Sequence, residues 1–448
     1  MATVVFFSES FPLYRQVEFF GDVVSALKER AHQAFSVITD PRTKMDARGR
    51  GVAHDYLDLD RMKKAPERQI TTEAVKKAFE YSSAMRRRYE EGATDARAQD
   101  IAFTVRNYLT DRAADVIVFW NMKTPLQKIA RAVADTLGVK TLMLENGAEP
   151  GTVQVGAGGV NYENAWLTEL TESEFWDQAA EEMRGPKQDM FTDERREPRG
   201  ASRWAPRVYY GLMTKSRRFA ARHPEAYLEN TLWQAVRHHS LRSGPVRAIR
   251  AMRERAVPLP KDYFFVPFQV HDDSNVVLHS PNIRGMEEFL SIVHRAVRRS
   301  AGPAPIVVKE HPEDCGRVDY TRLKRDYPDV IFFSQRPAGE LIAGARAVIT
   351  INSTVGYEAL QSFKPVITIG EAFYDMPGVT FHVDSSAELN ALLLSGALCV
   401  NRSWVTKYIH EIGKRLILCD AALRDDRGVR NLVKYFEIYV QRNIRARP

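Results

Sequence analysis

A histidine followed by a proline is the first group in this sequence that suggests chemistry. His311 and Pro312 come shortly after the apolar run Ile306–Val308. Because proline disfavours helical backbone in the residue before it, Pro312 restricts the direction of the His311 imidazole. An imidazole held in this way can hydrogen-bond a phosphate or protonate a leaving oxygen. The alternative interpretation is a turn that contains an incidental histidine.

A second group is a turn rich in hydroxyl residues between an apolar run and a helical pattern. Ser353 and Thr354 occupy this turn, so either residue can cap the helix that follows. The unpaired N–H groups of a helix N-terminus bind anions, and Glu358, about one turn further on, could hold the hydroxyl pair of a ribose. Tyr374 follows a later, glycine-containing strand exit and could cover a base. The alternative is an ordinary capped helix with a solvent-facing glutamate.

Short polar residues also follow the first apolar run of the second half. Gln269, Asp273 and Ser274 offer several such groups at one strand end. Asp272 and Asp273 raise the question of a metal ion, but no further carboxylate cluster with ligand spacing supports one. We therefore expect no metal site.

In the first half, an apolar strand ends in Glu145-Asn146, followed by a glycine. A carboxylate at a strand exit is well placed to act as a nucleophile or a general base. We expect this strand exit to face a cleft. Two other polar residues are expected to line the same cleft: Asn121, which ends the neighbouring strand, and Asn161. The alternative is a turn whose glutamate caps the next helix.

The elements that position these groups follow from an alternation of short apolar runs and helix-period segments in both halves of the chain. This alternation predicts an α/β fold with parallel sheets covered by helices. Two such halves predict two Rossmann-like domains facing a cleft, with ligands at the carboxyl ends of the strands. We expect these domains at residues 1–200 and 261–400, an inserted basic aromatic helical segment at 201–260, and a helical tail at 401–448 that packs back on the domain junction.

The composition is that of a folded protein. The 448 residues include 64 Lys and Arg against 57 Asp and Glu, and 44% of them are hydrophobic, which excludes a largely disordered or collagenous chain. No apolar stretch approaches the roughly 20 residues that span a bilayer. The N-terminus lacks the basic start of a signal peptide. Three widely separated cysteines without metal-ligand spacing favour a reducing cytosol.

The positive charge is concentrated in one segment. Residues 201–260 hold 12 Arg and Lys against 3 Glu, whereas the remainder of the chain is slightly acidic. Basic residues interleaved with aromatics favour an anionic membrane surface or an anionic glycan. No nucleic-acid-binding motif accompanies the charge, so we expect no nucleic-acid partner. The alternative is a pair of solvated helices that bridges the two domains.

Taken in order, these motifs resemble the bacterial capsule polysaccharide biosynthesis family, which includes the Kdo transferases that build the lipid-linked linker of capsules. The resemblance covers about residues 115–385. It rests on the following residues: Glu145-Asn146-Gly147, Gly159-Val160-Asn161, Pro267-Phe268-Gln269, Asp272-Asp273-Ser274, His311-Pro312-Glu313-Asp314, Ser353-Thr354-Val355-Gly356-Tyr357-Glu358-Ala359-Leu360, Tyr374 and Gly378-Val379-Thr380.

The resemblance implies a GT-B-like glycosyltransferase with a CMP-activated sugar, expected to be Kdo, as its donor, and with no cofactor and no essential metal. His311 would contact the nucleotide phosphate and help CMP to leave, while Ser353 and Thr354 bind the same phosphate. Glu358 would hold the ribose, and Gln269 would lie near the sugar or the cytosine. The expected nucleotide- and donor-binding residues are Gln269, Asp273, Ser274, Pro312, Ser353, Thr354, Glu358 and Tyr374.

Glu145 would be the acidic residue of the acceptor-side domain, and with His311 it makes up the expected catalytic pair. Related Kdo transferases often have Glu-Asp-Gly at this turn, whereas Asn146 follows Glu145 here. Asparagine cannot act as a nucleophile, so either Glu145 takes that role or the mechanism differs. Both a retaining and an inverting course therefore stay open.

The expected partners are a nucleotide-sugar donor, a lipid-linked glycan acceptor and an anionic membrane surface that residues 201–260 contact. The expected location is the cytoplasm, at the periphery of the inner membrane. Two alternatives belong to other classes. One is a non-catalytic scaffold for capsule assembly or export, and the other is a GT-B enzyme that uses a UDP-sugar.

Overall fold

Runs of mostly apolar residues form the central strands of two sheets. In the computed structural model, every residue of β1 (Thr3–Ser8), β4 (Val116–Trp120) and β7 (Tyr263–Pro267) is buried. Helices cover both faces of a parallel sheet, so its strands need apolar side chains at successive positions. The predicted fold class, two Rossmann-like α/β domains with a C-terminal helical tail, is confirmed.

The structure describes residues 2–8, 16–39, 44, 47, 51–85, 91–122, 124–159, 244–300, 302–314, 318–414, 416–419 and 426–444. Asn161 and most of the predicted basic segment lie outside these ranges. The chain divides into two units: unit 1 is Met1–Leu228 with Gly413–Pro448, and unit 2 is Glu229–Ile412. The predicted domain boundaries stay predictions. Of the helices in the described ranges, none is both long and apolar enough to cross a membrane.

Unit 1 contains a seven-stranded sheet in the order β13-β6-β5-β4-β1-β2-β3. Its parallel part has the Rossmann order, and β6 and β13 extend it in antiparallel fashion. The strands after β1 and β4 are β2 (Gln33–Ile38), β3 (Asp55–Tyr56), β5 (Lys140–Asn146), β6 (Thr152–Gly156) and β13 (Ile417–Leu418). The helices are α1 (Gln16–Glu29), α2 (Thr72–Met85), α3 (Glu91–Asp111), α4 (Pro125–Leu137) and α13 (Asp426–Asn443).

Alternate side chains of the unit 1 strands feed two cores, one on each face. Phe6 and Trp120 pack with α1 and α13 on one face, and Phe7 and Phe119 pack with α2, α3 and α4 on the other. The edge-to-face contact of Phe6 with Phe436, at 5.4 Å between ring centroids, joins β1 to α13. Helix α13 therefore forms part of the hydrophobic core of unit 1.

Unit 2 contains a six-stranded parallel sheet in the order β12-β11-β10-β7-β8-β9. The strands after β7 are β8 (Ile306–Lys309), β9 (Val330–Phe333), β10 (Ala345–Thr350), β11 (Val366–Thr368) and β12 (Phe381–His382). The helices are α5 (Gly244–Arg255), α6 (Ser274–Leu278), α7 (Met286–Ser300), α8 (Thr321–Asp326), α9 (Ala338–Gly344), α10 (Thr354–Gln361), α11 (Ser386–Ser395) and α12 (Arg402–Lys414).

The strand order of unit 2 places a crevice at one end of its sheet. The chain begins in the middle at β7, moves outward to β8 and β9, and returns to start again at β10 on the other side of β7. The connections after β7 and β10 therefore diverge, and open α/β sheets bind ligands in the crevice outside the carboxyl ends of such a strand pair. This topological switch point positions the candidate site.

Candidate functional site

Two buried amide side chains join the strand exits at the switch point of unit 2. Gln269 Nε2 donates to Asn352 Oδ1 at 2.7 Å, and the backbone N–H of Asn352 donates to Gln269 Oε1 at 3.1 Å. Both residues are buried. A buried amide that loses its partner is costly, so this reciprocal pair fixes the distance between the two loops. The structure thus uses the amide of Gln269, expected near the sugar or the cytosine, to hold the site together.

Asn352 also holds the short helix α6. Its Nδ2 donates to the carbonyl oxygens of Asn275 (2.8 Å) and His279 (3.1 Å). Asp273 caps this five-residue helix by accepting from the backbone N–H of Asn275 at 2.9 Å, and Ser274 is its first residue. Asp273 and Ser274 therefore lie beside the switch point.

The hydroxyl-rich turn has the predicted form. Ser353 is the N-cap of α10 and accepts from the backbone N–H of Val355 at 3.2 Å, and Thr354 is the exposed first residue of the helix. The N-terminus of α10 consequently opens at the carboxyl edge of the sheet. Backbone N–H groups in this position bind anions.

Tyr374 supports this turn from behind. It is fully buried, and its hydroxyl donates to the carbonyl oxygen of Ser353 at 2.5 Å. A Cβ atom at Gly356 would lie 2.2 Å from that hydroxyl oxygen, so only glycine lets α10 approach the ring. The ring that was expected to cover a base therefore packs inside unit 2 in this structure.

His311 lies half-buried at the exit of β8. Its Nδ1 accepts from the backbone N–H of Glu313 at 3.1 Å, so the neutral imidazole carries its proton on Nε2. Burial lowers the pKa of His311 from its ordinary value, although nearby carboxylates, chiefly Asp314, act in the opposite direction. The neutral form with an Nε2–H donor is thus the form that the protein favours. Pro312 begins the 3₁₀ turn that places the Glu313 N–H.

Lys309 connects His311 electrostatically with Glu358. Its ammonium group contributes to lowering the pKa of both side chains. The Glu358 side chain is exposed to solvent, but protein atoms around its carboxyl group partly desolvate it. This desolvation outweighs the effect of Lys309 and raises the pKa of Glu358. Lys309, the last residue of β8, therefore favours the neutral form of His311 and the ionised form of Glu358. The prediction did not include Lys309 among the site residues.

A histidine and a buried aspartate make a further contact at this edge. Asp314 Oδ1 lies 2.8 Å from Nδ1 of His271, and Asp314 Oδ2 accepts from the backbone N–H of His271 at 3.0 Å. Within the described ranges, His271, Asp272 and Asp314 are the one group of three whose potential ligand atoms lie within 4.8 Å of one another. The expectation of no metal site stays a prediction.

Unit 1 presents its predicted residues on a hairpin. Glu145 lies inside β5, opposite Gln154 of β6, and its Oε1 accepts from the backbone N–H of Asn146 at 2.9 Å. Asn146 is exposed at the end of the strand. The buried Asn121, with a left-handed φ of 47°, donates its N–H to Leu144 O at 2.6 Å. Glu145, Asn146 and Asn121 therefore share one sheet edge.

These sites define an α/β protein with two Rossmann-type sheets and a polar switch point in the second. The family model of capsule polysaccharide biosynthesis proteins matches residues 115–391, a range that includes every predicted site residue. The chain belongs to this family.

Two known proteins and one solved structure show how similar this chain is to individual proteins. Protein FixF of Sinorhizobium fredii (strain NBRC 101917 / NGR234) is 40% identical over 137 residues, which span 31% of this chain and 33% of FixF. The capsule polysaccharide export protein KpsS of Escherichia coli is 26% identical over 282 residues, 60% of this chain and 70% of KpsS. The solved structure of the beta Kdo 2,7 transferase of Thermosulfurimonas dismutans KpsC has 17% identity and a TM-score of 0.32, covering 64% of this chain and 79% of that one.

Proposed function

We propose that this chain is a glycosyltransferase of capsule polysaccharide biosynthesis. It transfers a sugar, Kdo from CMP-Kdo, to a lipid-linked or oligosaccharide acceptor. The observation that carries the proposal is the placement of two phosphate-binding groups, His311 after β8 and the Ser353-capped N-terminus of α10 after β10, at the carboxyl edge of one Rossmann-type sheet. The CMP-sugar class rests on the motif resemblance, and the family membership supports a role in capsule synthesis.

The donor groups of unit 2 suit the phosphate of a nucleotide sugar. His311 offers a neutral Nε2–H donor, and the capped N-terminus of α10 offers backbone N–H groups. Both stabilise the charge that develops on the phosphate as the bond between sugar and phosphate breaks. Glu358, on the same helix, holds the ribose hydroxyls.

Glu145 supplies the carboxylate that acts on the acceptor side. It either attacks the anomeric carbon or removes the proton of the acceptor hydroxyl, and these two roles correspond to a retaining and an inverting course. Its bond from the Asn146 N–H holds the carboxylate in one orientation.

A membrane contact is the second part of the proposal, and α5 supports it. Glu254 accepts from the backbone N–H groups of Ser334, Gln335 and Arg336 at 2.8–3.0 Å, and this fixes α5 against the loop that follows β9. Ile249 and Met252 are exposed by 52% and 71%. The exposed Arg253 and Arg255 give the same helix a positive charge. An apolar and basic helix surface suits an anionic lipid layer.

Release of CMP tests the catalytic part. We expect purified protein with CMP-Kdo and a phosphatidylglycerol-type acceptor to release CMP, and His311→Ala to lower the rate by about 10²-fold or more. The control is His294→Ala, because His294 pairs with Asp329 on the surface of unit 2. Failure of the wild type to release CMP from any CMP-sugar would refute the proposal, and vesicle binding without nucleotide binding would indicate a scaffold.

Vesicle sedimentation tests the membrane part. Ile249→Ser combined with Met252→Ser should weaken binding to vesicles that contain phosphatidylglycerol by about tenfold, since apolar area no longer enters the lipid layer. Leu394→Ser is the matched control, because Leu394 is 60% exposed on α11. Equal weakening by both variants, or equal binding to pure phosphatidylcholine, would contradict this surface.

A further inference from the structure

We propose that His271 is a second ligand-contacting imidazole at the carboxyl edge of unit 2, with Asp314 as its positioning residue. It presents Nε2 as an acceptor for a hydroxyl group of the bound nucleotide sugar. The identity of the ligand rests on the proposed function. The geometry of the pair stands independently of it.

Asp314 is built into the interior as an acceptor for three donors. Its side chain is 1% exposed. Its Oδ1 faces His271 Nδ1 at 2.8 Å, while its Oδ2 accepts from the His271 backbone N–H at 3.0 Å and from the Tyr320 hydroxyl at 3.2 Å. Burial raises the pKa of Tyr320, so its hydroxyl keeps the proton that it donates. A carboxylate with this set of donors is held in one orientation.

The carboxylate decides which nitrogen of His271 carries the proton. An ionised carboxylate only accepts hydrogen bonds, so Nδ1 of His271 must be the donor. The neutral imidazole then has its lone pair on Nε2, as in other sites where an aspartate orients a histidine. The His271 side chain is 37% exposed. Its Nε2 has no hydrogen-bond partner within the part of the chain that the structure describes.

His271 and His311 are thus opposite in hydrogen-bonding character. His311 accepts at Nδ1 and presents Nε2–H, whereas His271 donates at Nδ1 and presents a bare Nε2. They follow the neighbouring strands β7 and β8. The oxygens of an ionised phosphate only accept, so they match His311. A hydroxyl group can donate, so it matches His271.

A metal ion is the competing occupant of the same group. The His271 nitrogen that faces both aspartates is Nδ1, at 2.8 Å from Asp314 Oδ1 and 3.7 Å from Asp272 Oδ1. A metal ion bound through Nδ1 would replace the bond to Asp314, whose oxygens already accept from three donors. The hydroxyl interpretation leaves all three bonds in place. A hydroxyl group therefore fits the pair better than a metal ion does, and metal binding would contradict this assignment.

Imidazole ¹⁵N NMR of the full chain tests the positioning role. We expect His271 as the Nδ1–H tautomer and His311 as the Nε2–H tautomer. In Asp314→Asn, the amide oxygen can keep the bonds from the His271 N–H and Tyr320 while its NH₂ donates to Nδ1, so His271 should change to the Nε2–H tautomer. An Nε2–H tautomer of His271 in the wild type would overturn the proposal.

Calorimetry with His271→Gln tests the ligand contact even if Asp314→Asn fails to fold. One lost hydrogen bond should weaken binding about 3- to 10-fold. Weakening of CMP and CMP-Kdo alike assigns the hydroxyl to the ribose, and weakening of CMP-Kdo alone assigns it to the sugar. His294→Gln is the control.

Unchanged affinity for both ligands refutes the contact alone, whereas no binding by the wild type refutes the proposed function as well. Stoichiometric Zn²⁺ or Mn²⁺ binding that His271→Gln abolishes would replace the hydroxyl with a metal.

Discussion

The parallel strands of the two sheets follow the same order, but the loops at their carboxyl edges are held together differently. In unit 2, side-chain amides join the exits of β7 and β10 across the switch point, through Gln269 and Asn352. In unit 1, the backbone of Asn121 joins the exit of β4 to β5 instead. The carboxylate of Glu145 lies in the β5–β6 hairpin, where its partner is the next residue in the chain.

The difference separates two kinds of preorganisation. Unit 2 fixes several loops relative to one another through side-chain hydrogen bonds, those of Asn352 with Gln269 and Asn275 and those of Asp314 with His271. Unit 1 holds one carboxylate by local hairpin geometry. There a Cβ atom at Gly147 would lie 2.1 Å from Thr152 Oγ1. We infer that nucleotide recognition depends on tertiary contacts in unit 2, whereas the carboxylate of unit 1 depends on one turn.

The largest expected effect separates the roles of the two units. Glu145→Gln should lower the rate of CMP release by about 10³-fold, because an amide can neither attack nor accept the proton. Its affinity for CMP should match the wild type, since the proposed nucleotide site lies in unit 2. Glu149→Gln, a few residues further along the hairpin, is the control. An unchanged rate would mean that the carboxylate comes from elsewhere in the chain.

The amide pair should be the most sensitive structural point of unit 2. Gln269→Leu leaves the Asn352 backbone N–H and Oδ1 without their partner, and the free energy of unfolding should fall by about 2–4 kcal/mol. Chemical denaturation measures this loss, and CMP affinity should fall with it.

Gln127→Leu is the counterpart in unit 1. Gln127 is also buried, and its Nε2 donates to Trp120 O at 3.0 Å in the capping box of α4. We expect a comparable loss of stability with CMP affinity preserved. Equal loss of CMP affinity in both variants would contradict the division between the units.

A smaller effect concerns the support behind the Ser353 turn. Tyr374→Phe removes the bond to Ser353 O and should cost about 1 kcal/mol of stability while also weakening CMP binding. Tyr408→Phe is matched, because the buried Tyr408 hydroxyl donates to Phe373 O at 3.1 Å. Its loss should cost similar stability and leave CMP affinity unchanged. CMP titrations of the two variants would show the same affinity if Tyr374 did not support the phosphate site.

The smallest effect is a pH dependence of stability. The pKa of His311 is lower in the folded protein than in the unfolded chain. As the pH falls below about 6.5, His311 is protonated in the unfolded chain but still neutral in the folded protein. The free energy of unfolding therefore decreases as the pH falls toward the pKa that His311 has in the folded protein. Glu358, whose pKa is raised, acts in the opposite sense at lower pH. Melting temperatures of wild type and His311→Gln should diverge between pH 7 and pH 5.5, and parallel curves would contradict the assignment.

Features that depend on one short segment of the chain could be predicted from the sequence. The apolar runs predicted the strands, and the hydroxyl-rich turn predicted the cap of α10, which proved to be Ser353. The internal role of Tyr374 was not readable, because it depends on contact with Ser353 and Gly356. The partner of Gln269 lies 83 residues away in the chain, and no local pattern identifies it.

The sequence by itself determined two largely parallel sheets, the strand exits that carry polar groups, and the family. Periodicity and turn chemistry act over a few residues, so they can be read from the chain alone. Only the tertiary structure decided which exits become neighbours, which side chains turn inward, and which groups face the ring nitrogens of His271 and His311. Those properties arise from hydrogen bonds between segments that the fold brings together, such as the one between His271 and Asp314.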